Sequence, residues 1–192
     1  MTMQPVHCRQ GRRRWFCLSL VLGAILSSGA VASEMTQMSF TLTSVAFKEG
    51  AAIPFQYTCD GRNLSPPLAW TAPPADTKSF ALISDDPDAP VGTWVHWIVY
   101  NVPATLRALP EAVPVDAQLA DGTRQGKTDF GRTGYGGPCP PIGRHRYFFK
   151  LYALDTVLSL APGATKAQLE AEMKNHVLAQ TQLMGTYRHK GR

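Results

Sequence analysis

The chain has 192 residues, 19 of them basic and 14 acidic, for a formal net charge of +5. That excess does not mark a nucleic-acid or membrane-surface protein, because Arg9, Arg12, Arg13 and Arg14 crowd the first residues and read as part of an export signal. Without that segment 15 basic residues face 14 acidic ones, a net charge near +1, and about 160 residues remain, enough for one domain with a substantial core and too few for two ordinary ones.

In chain order, the four arginines precede an apolar run from Trp15 to Leu26, which gives way to Ser27-Ser28-Gly29-Ala30-Val31-Ala32. This is the pattern of a cleaved signal, with cleavage expected after Ala32 or Ser33, so residues 1–33 are assigned to export and 34–192 to the domain. Arg13-Arg14-Trp15-Phe16 resembles the twin-arginine variant, and an uncleaved anchor is the alternative at this length. The expected location is periplasmic or secreted. Cys8 and Cys17 leave with the signal. In an oxidising compartment the remaining Cys59 and Cys139 most simply form one disulfide, two buried thiols being the alternative.

From Met38 onward short apolar or alternating segments are punctuated by Pro66-Pro67, Pro73-Pro74 and Pro140-Pro141. This predicts a mainly β domain, with strands at 39–47, 55–59, 79–84, 96–101 and 147–154. One helix is predicted at 166–178. Thr165 and Gln168 supply a capping box, and Leu169, Met173 and Val177 recur on one face, a core stripe rather than a cofactor site. Residues 116–137, rich in Gly, Thr, Asp and Arg, read as a long surface loop, and Tyr187-Arg188-His189-Lys190 as a solvated tail.

The chemistry concentrates at His145-Arg146-Tyr147 and Asp86-Pro87-Asp88-Ala89-Pro90, with His96-Trp97 between them in the sequence. Successive side chains of an extended chain alternate faces, so His145 and Tyr147 share one face with Arg146 on the other, and Asp86 and Asp88 should pair in the same way. A cis bond before Pro90 fits such a turn. Taken alone, Asp85-Asp86-Pro87-Asp88 reads equally well as a simple turn, and His96 as a satisfied core histidine. His176 is assigned to structure.

Together with Phe55-Gln56-Tyr57-Thr58-Cys59-Asp60-Gly61, Asn63, Ser65-Pro66-Pro67-Leu68-Ala69-Trp70, Asn101-Val102-Pro103 and Gly134-Tyr135-Gly136-Gly137-Pro138, these residues resemble the phosphatidylethanolamine-binding protein family, and most closely its bacterial Raf-kinase-inhibitor-like branch. The resemblance implies an antiparallel Greek-key β-sandwich with a C-terminal α-helix. It also implies a small anion pocket of Asp86, Asp88, His96, His145 and Tyr147, its mouth shaped by Pro90 and by the turn from Gly137 to Pro141, with Trp97 or Tyr135 as apolar walls.

In that pocket an aspartate bonded to one ring nitrogen of a histidine would leave the other free to donate, making His96 and His145 the anion donors and favouring acid pH. The expected function is a non-enzymatic binding protein for a phosphoryl or phosphoethanolamine-like group, with a protein partner such as a kinase or protease to inhibit. No cofactor, metal or nucleic acid is implied. The alternative is a metal-dependent or His/Asp hydrolase acting on a phosphoester, although HExxH, GxSxG, GxxxxGK[ST] and CxxC patterns are all absent from the sequence. A lipid carrier ranks last, since no amphipathic lipid-binding helix is evident.

Overall fold

A computed structural model describes residues 39–189. The expected export signal, its cleavage point and the alternative anchor lie outside those residues. Among the described residues no helix is long and apolar enough to cross a membrane.

The elements run β1 (Leu42–Thr43), β2 (Leu68–Trp70), β3 (Ser79–Asp86), β4 (Trp94–Pro103), β5 (Ala108–Leu109), β6 (Arg124–Gln125), β7 (Arg144–Leu154), α1 (Lys166–Met173) and β8 (Val177–Arg188). One sheet has the order β1-β2-β5 and the other β6-β4-β3-β7-β8, and every named pairing is antiparallel. β3 is the central strand of the larger sheet, and all eight of its side chains are buried because both faces are covered. Phe80 and Leu82 enter the core between the sheets, with Trp70, Trp97, Phe149 and Leu151. Ala81 and Ile83 enter a second core with Ile98, Tyr100, Leu169 and Met173, which α1 closes. The domain is therefore layered as small sheet, large sheet and helix, and each sheet buries its apolar face by the same period of two that the sequence displays.

Several expected boundaries move. The stretch 39–47 contributes only two residues of strand, and 55–59 is not a strand: Pro54 opens a 3₁₀ turn over Phe55–Tyr57. The capping box forms as expected, Thr165 Oγ1 accepting from Gln168 N and Gln168 Oε1 from Thr165 N. The helix nevertheless stops at Met173, because Asn175 adopts a left-handed backbone at φ 70° and turns the chain.

Beyond that turn the chain forms no tail but the twelve-residue β8, paired with β7 from Leu154 opposite Val177 to Arg144 opposite Arg188. The helix is thus not C-terminal. Val177 belongs to β8, Tyr187 is buried, and His176 sits in the connecting turn with its Nδ1 2.7 Å from Asp155 Oδ1. β8 hides in the sequence because Gly185 interrupts its alternation. That glycine is required by packing, since a Cβ there would meet Ile53 Cγ1 at 2.5 Å.

Candidate functional site

The ends of β3, β4 and β7 meet around a cavity of about 360 Å3, within the usual size of a small-ligand site. β4 reaches it through a bulge. Ser84 pairs with Trp97 but Asp85 with Val95, which leaves His96 as an extra residue without a partner on β3. The bulge turns His96 towards the Tyr147 ring, 5.1 Å away edge to face, while the neighbouring Trp97 still reaches the core between the sheets.

Three polar side chains form the floor: Asp86, His96 and Tyr147, each no more than 3% exposed. One wall is Ala89, Pro90, Val91 and Trp94, and the other is Phe130, Cys139, Pro140 and Pro141. None of the described lining residues is Lys or Arg.

Asp86 is held on both oxygens. Its Oδ1 accepts from Asp88 N at 2.8 Å, and its Oδ2 lies 2.8 Å from His145 Nδ1. His145 Nε2 in turn faces the Ile142 carbonyl at 3.1 Å. Both ring nitrogens of His145 therefore meet acceptors, and its role is to brace Asp86 from behind rather than to donate to a ligand. This corrects the expectation of a free second nitrogen.

His96 Nδ1 lies 2.6 Å from the Gly136 carbonyl, not against an aspartate. Burial lowers its pKa, outweighing that carbonyl and the carboxylates of Asp86, Asp85 and Asp129, which pull the other way. Tyr147 Oη is buried and makes no well-formed hydrogen bond, the Asp86 carboxylate being the polar group that interacts with it. Burial first, and then the nearby Asp86 carboxylate, raise the phenol above its ordinary pKa, so it stays protonated.

Of the eight residues expected in the pocket, Asp86, Pro90, His96, Pro141 and Tyr147 line it, whereas Asp88, Gly137 and His145 do not. Asp88 turns to the opposite side, where its carboxylate takes Arg146 Nε at 2.9 Å and Nη2 at 2.6 Å, and this guanidinium lowers its pKa to about 2. Gly137 shapes the wall from outside. Its N donates to Asn63 Oδ1 at 2.6 Å, and a Cβ would strike the Tyr57 carbonyl oxygen at 2.5 Å. The peptide before Pro90 is trans.

Trp97 and Tyr135 are core residues, Trp97 Nε1 donating to Gln125 Oε1 at 2.7 Å and Tyr135 Oη to the Tyr57 carbonyl at 2.9 Å. The aromatic walls are instead Trp94 and Phe130, whose rings meet at 5.6 Å. Phe130 was hidden in the stretch 116–137, where a lone large apolar residue among polar neighbours was the only signal.

Cys59 and Cys139 are bonded across a separation of 80 residues, fastening the Pro138–Pro141 wall to the 3₁₀ turn beside the Cys59 N to Pro138 O hydrogen bond. Among the described residues Asp86, Asp88, His96 and His145 form no cluster of three converging metal-ligand atoms. The one such cluster is Cys59, Cys139 and His189, whose sulfurs are committed to the disulfide.

Residues 43–188 match the family described as phosphatidylethanolamine-binding protein. A UPF0098 protein of Methanothermobacter thermautotrophicus is 53% identical over 147 residues, covering 77% of this chain and 97% of that protein. One from Aquifex aeolicus is 50% identical, over 76% and 86%. Among solved structures, a putative phosphatidylethanolamine-binding protein homolog, CT736 of Chlamydia trachomatis, superposes with a TM-score of 0.73 at 43% identity, over 79% of this chain and 99% of that one. Escherichia coli YbcL, described as a member of the mammalian PEBP family, gives 0.73 at 36% identity with the same coverage.

Proposed function

The chain belongs to the phosphatidylethanolamine-binding protein family, and from that premise we propose that it is an exported, non-enzymatic binding protein whose cavity takes a small phosphoryl-type group carried on an apolar or compact organic body. The observation that carries this reading is the preformed cavity with buried Asp86, His96 and Tyr147 at its floor, the Tyr147 hydroxyl being a donor that makes no well-formed hydrogen bond. Leaving such a group unmade costs about 1–3 kcal/mol, a cost that a bound acceptor recovers. Pro90, Val91, Trp94, Phe130 and Pro141 offer the apolar walls against which the rest of a ligand packs. Export rests on the arginine-led apolar segment at the start of the sequence, and inhibition of a protein partner is the use such a pocket would serve on a ligand presented by another macromolecule.

The hydrolase alternative loses its constellation, since Asp88 is committed to Arg146 and His145 to Asp86 and the Ile142 carbonyl. Calorimetric titration with phosphoethanolamine and with inorganic phosphate tests the reading. Saturable binding that weakens in Tyr147→Phe is expected, and an equal response of wild type and variant would overturn it.

A further inference from the structure

The Cys59–Cys139 disulfide lies at the surface with an imidazole beside it. Both cysteines are exposed, and His189, the first residue beyond β8, brings a ring nitrogen within 4.8 Å of both sulfurs. An exposed disulfide is open to attack by an external thiol, which a buried one is not.

The cluster does not depend on the covalent bond for its position. Cys59 N donates to the Pro138 carbonyl at 3.0 Å, Tyr135 Oη to the Tyr57 carbonyl at 2.9 Å and Gly137 N to Asn63 Oδ1 at 2.6 Å. These bonds keep the two cysteine segments side by side when the sulfurs part. The imidazole is held by the residue next to Cys59. Asp60 Oδ2 accepts from Tyr187 Oη at 2.6 Å, and Asp60 Oδ1 stands 2.8 Å from His189 Nδ1, close but not aligned as a hydrogen bond. A carboxylate behind a histidine ring is the arrangement that orients imidazole ligands of zinc.

Two thiolates and one imidazole are ligand types that zinc takes. With Zn–S near 2.3 Å and Zn–N near 2.0 Å, tetrahedral ligand atoms stand about 3.5 to 3.8 Å apart, so rotation of the side chains brings this cluster to that spacing.

We propose that Cys59, Cys139 and His189 form a zinc site that the disulfide keeps shut. An external dithiol opens it by exchange, taking the disulfide onto itself and leaving two protein thiols, whose two protons leave as zinc binds. Asp60 is a positioning residue behind His189, and water fills the fourth position. Zinc then replaces the covalent clip between the 3₁₀ turn and the Pro138–Pro141 wall and adds the end of β8 to it.

The test is to reduce the protein with a dithiol, remove the dithiol without air, and titrate with cobalt(II), a coloured stand-in for zinc. One cobalt per chain is expected, with thiolate-to-cobalt charge transfer and tetrahedral absorption, and none in the oxidised protein. His189→Ala, whose disulfide and fold are checked before reduction, should bind at least about tenfold more weakly. Zinc should raise the unfolding temperature of the reduced protein, a chelator should reverse the rise, and the oxidised protein should not respond.

The inference fails if the reduced protein gives no charge-transfer band, or if His189→Ala binds cobalt as tightly as wild type. If reduction alone unfolds the chain, refolding on addition of zinc supports the site, and failure to refold overturns it.

Discussion

Asp85 and Asp86 are neighbours on β3, buried to 0% and 2% exposure, and they have opposite fates. Asp85 points to the helix side of the large sheet, where Lys150 Nζ of β7 and Lys166 Nζ of α1 approach it at 2.9 and 2.7 Å. Two cations close on one carboxylate and tie three elements together; Lys150 borders a separate open groove with Tyr152 and Gln180, but Asp85 itself does not line it. Asp86 points into the space between the sheets, where one histidine and one backbone N–H hold it and the Tyr147 phenol and a cavity lie next to it. A buried carboxylate is therefore not in itself a sign of a site. The difference lies in what stands beside it, two lysine cations at Asp85 and a ligand-sized cavity at Asp86.

Substitutions should separate the two sides. Asp85→Ala removes the buried carboxylate that two lysines share, and the expected loss is about 3 kcal/mol, the lower end for a broken buried pair because both lysines can reach water and Lys166 keeps Glu170 at 3.8 Å. A urea titration measures it, and phosphoethanolamine binding by the folded protein should be unchanged. Cys59→Ser should cost about 2–4 kcal/mol, as expected for a cross-link closing a long loop, and on the Asp86 side it should also weaken binding, because the Pro138–Pro141 wall is released.

Asp86→Asn should cost about 1.5 kcal/mol in stability by removing the charge from the His145 hydrogen bond, yet raise affinity for inorganic phosphate, because a like charge leaves the cavity floor. Tyr147→Phe completes the contrast: thermal unfolding should show a stability unchanged or raised by up to about 1 kcal/mol, since a buried hydroxyl that makes no well-formed hydrogen bond is deleted, while affinity drops.

The smallest effect is at Asp88. Arg146 depresses its pKa to about 2, so its stabilisation is complete above the ordinary carboxylate value near 4 and is lost as pH falls from there through about 2. Asp88→Ala should flatten the acid limb of the stability curve in that window alone. His96 acts in the same direction at higher pH. Its pKa is lowered in the folded state, so the unfolded chain binds the extra proton, and stability should begin to fall as pH drops below about 6.5.

Much of this arrangement was legible in the residues. The period of two placed His145 and Tyr147 on the buried face of β7 with Arg146 exposed, and the Thr165–Gln168 capping box marked the start of α1. The same rule misplaced Asp88, because β3 ends at Asp86 and the next residues form a turn in which the alternation no longer holds. It could not anticipate the bulge at His96 either, since one extra residue in a ladder depends on the partner strand. β8 escaped notice because Thr, Gln and Gly alternate with too little apolar contrast to signal a strand that β7 nevertheless pairs along its whole length.

By itself the sequence determined the mainly β texture, the chemical types gathered at the pocket and the family to which they point, because these follow from local periodicity, turn residues and ordered motifs. Only the tertiary structure decided which carboxylate faces the cavity, which ring nitrogen of each histidine is spent, and that Trp94 and Phe130 rather than Trp97 and Tyr135 wall the ligand space. Those outcomes depend on where strand ends, a bulge and a distant loop converge, and hydrogen-bond partners drawn from segments some 40 to 59 residues apart leave no local imprint on the chain.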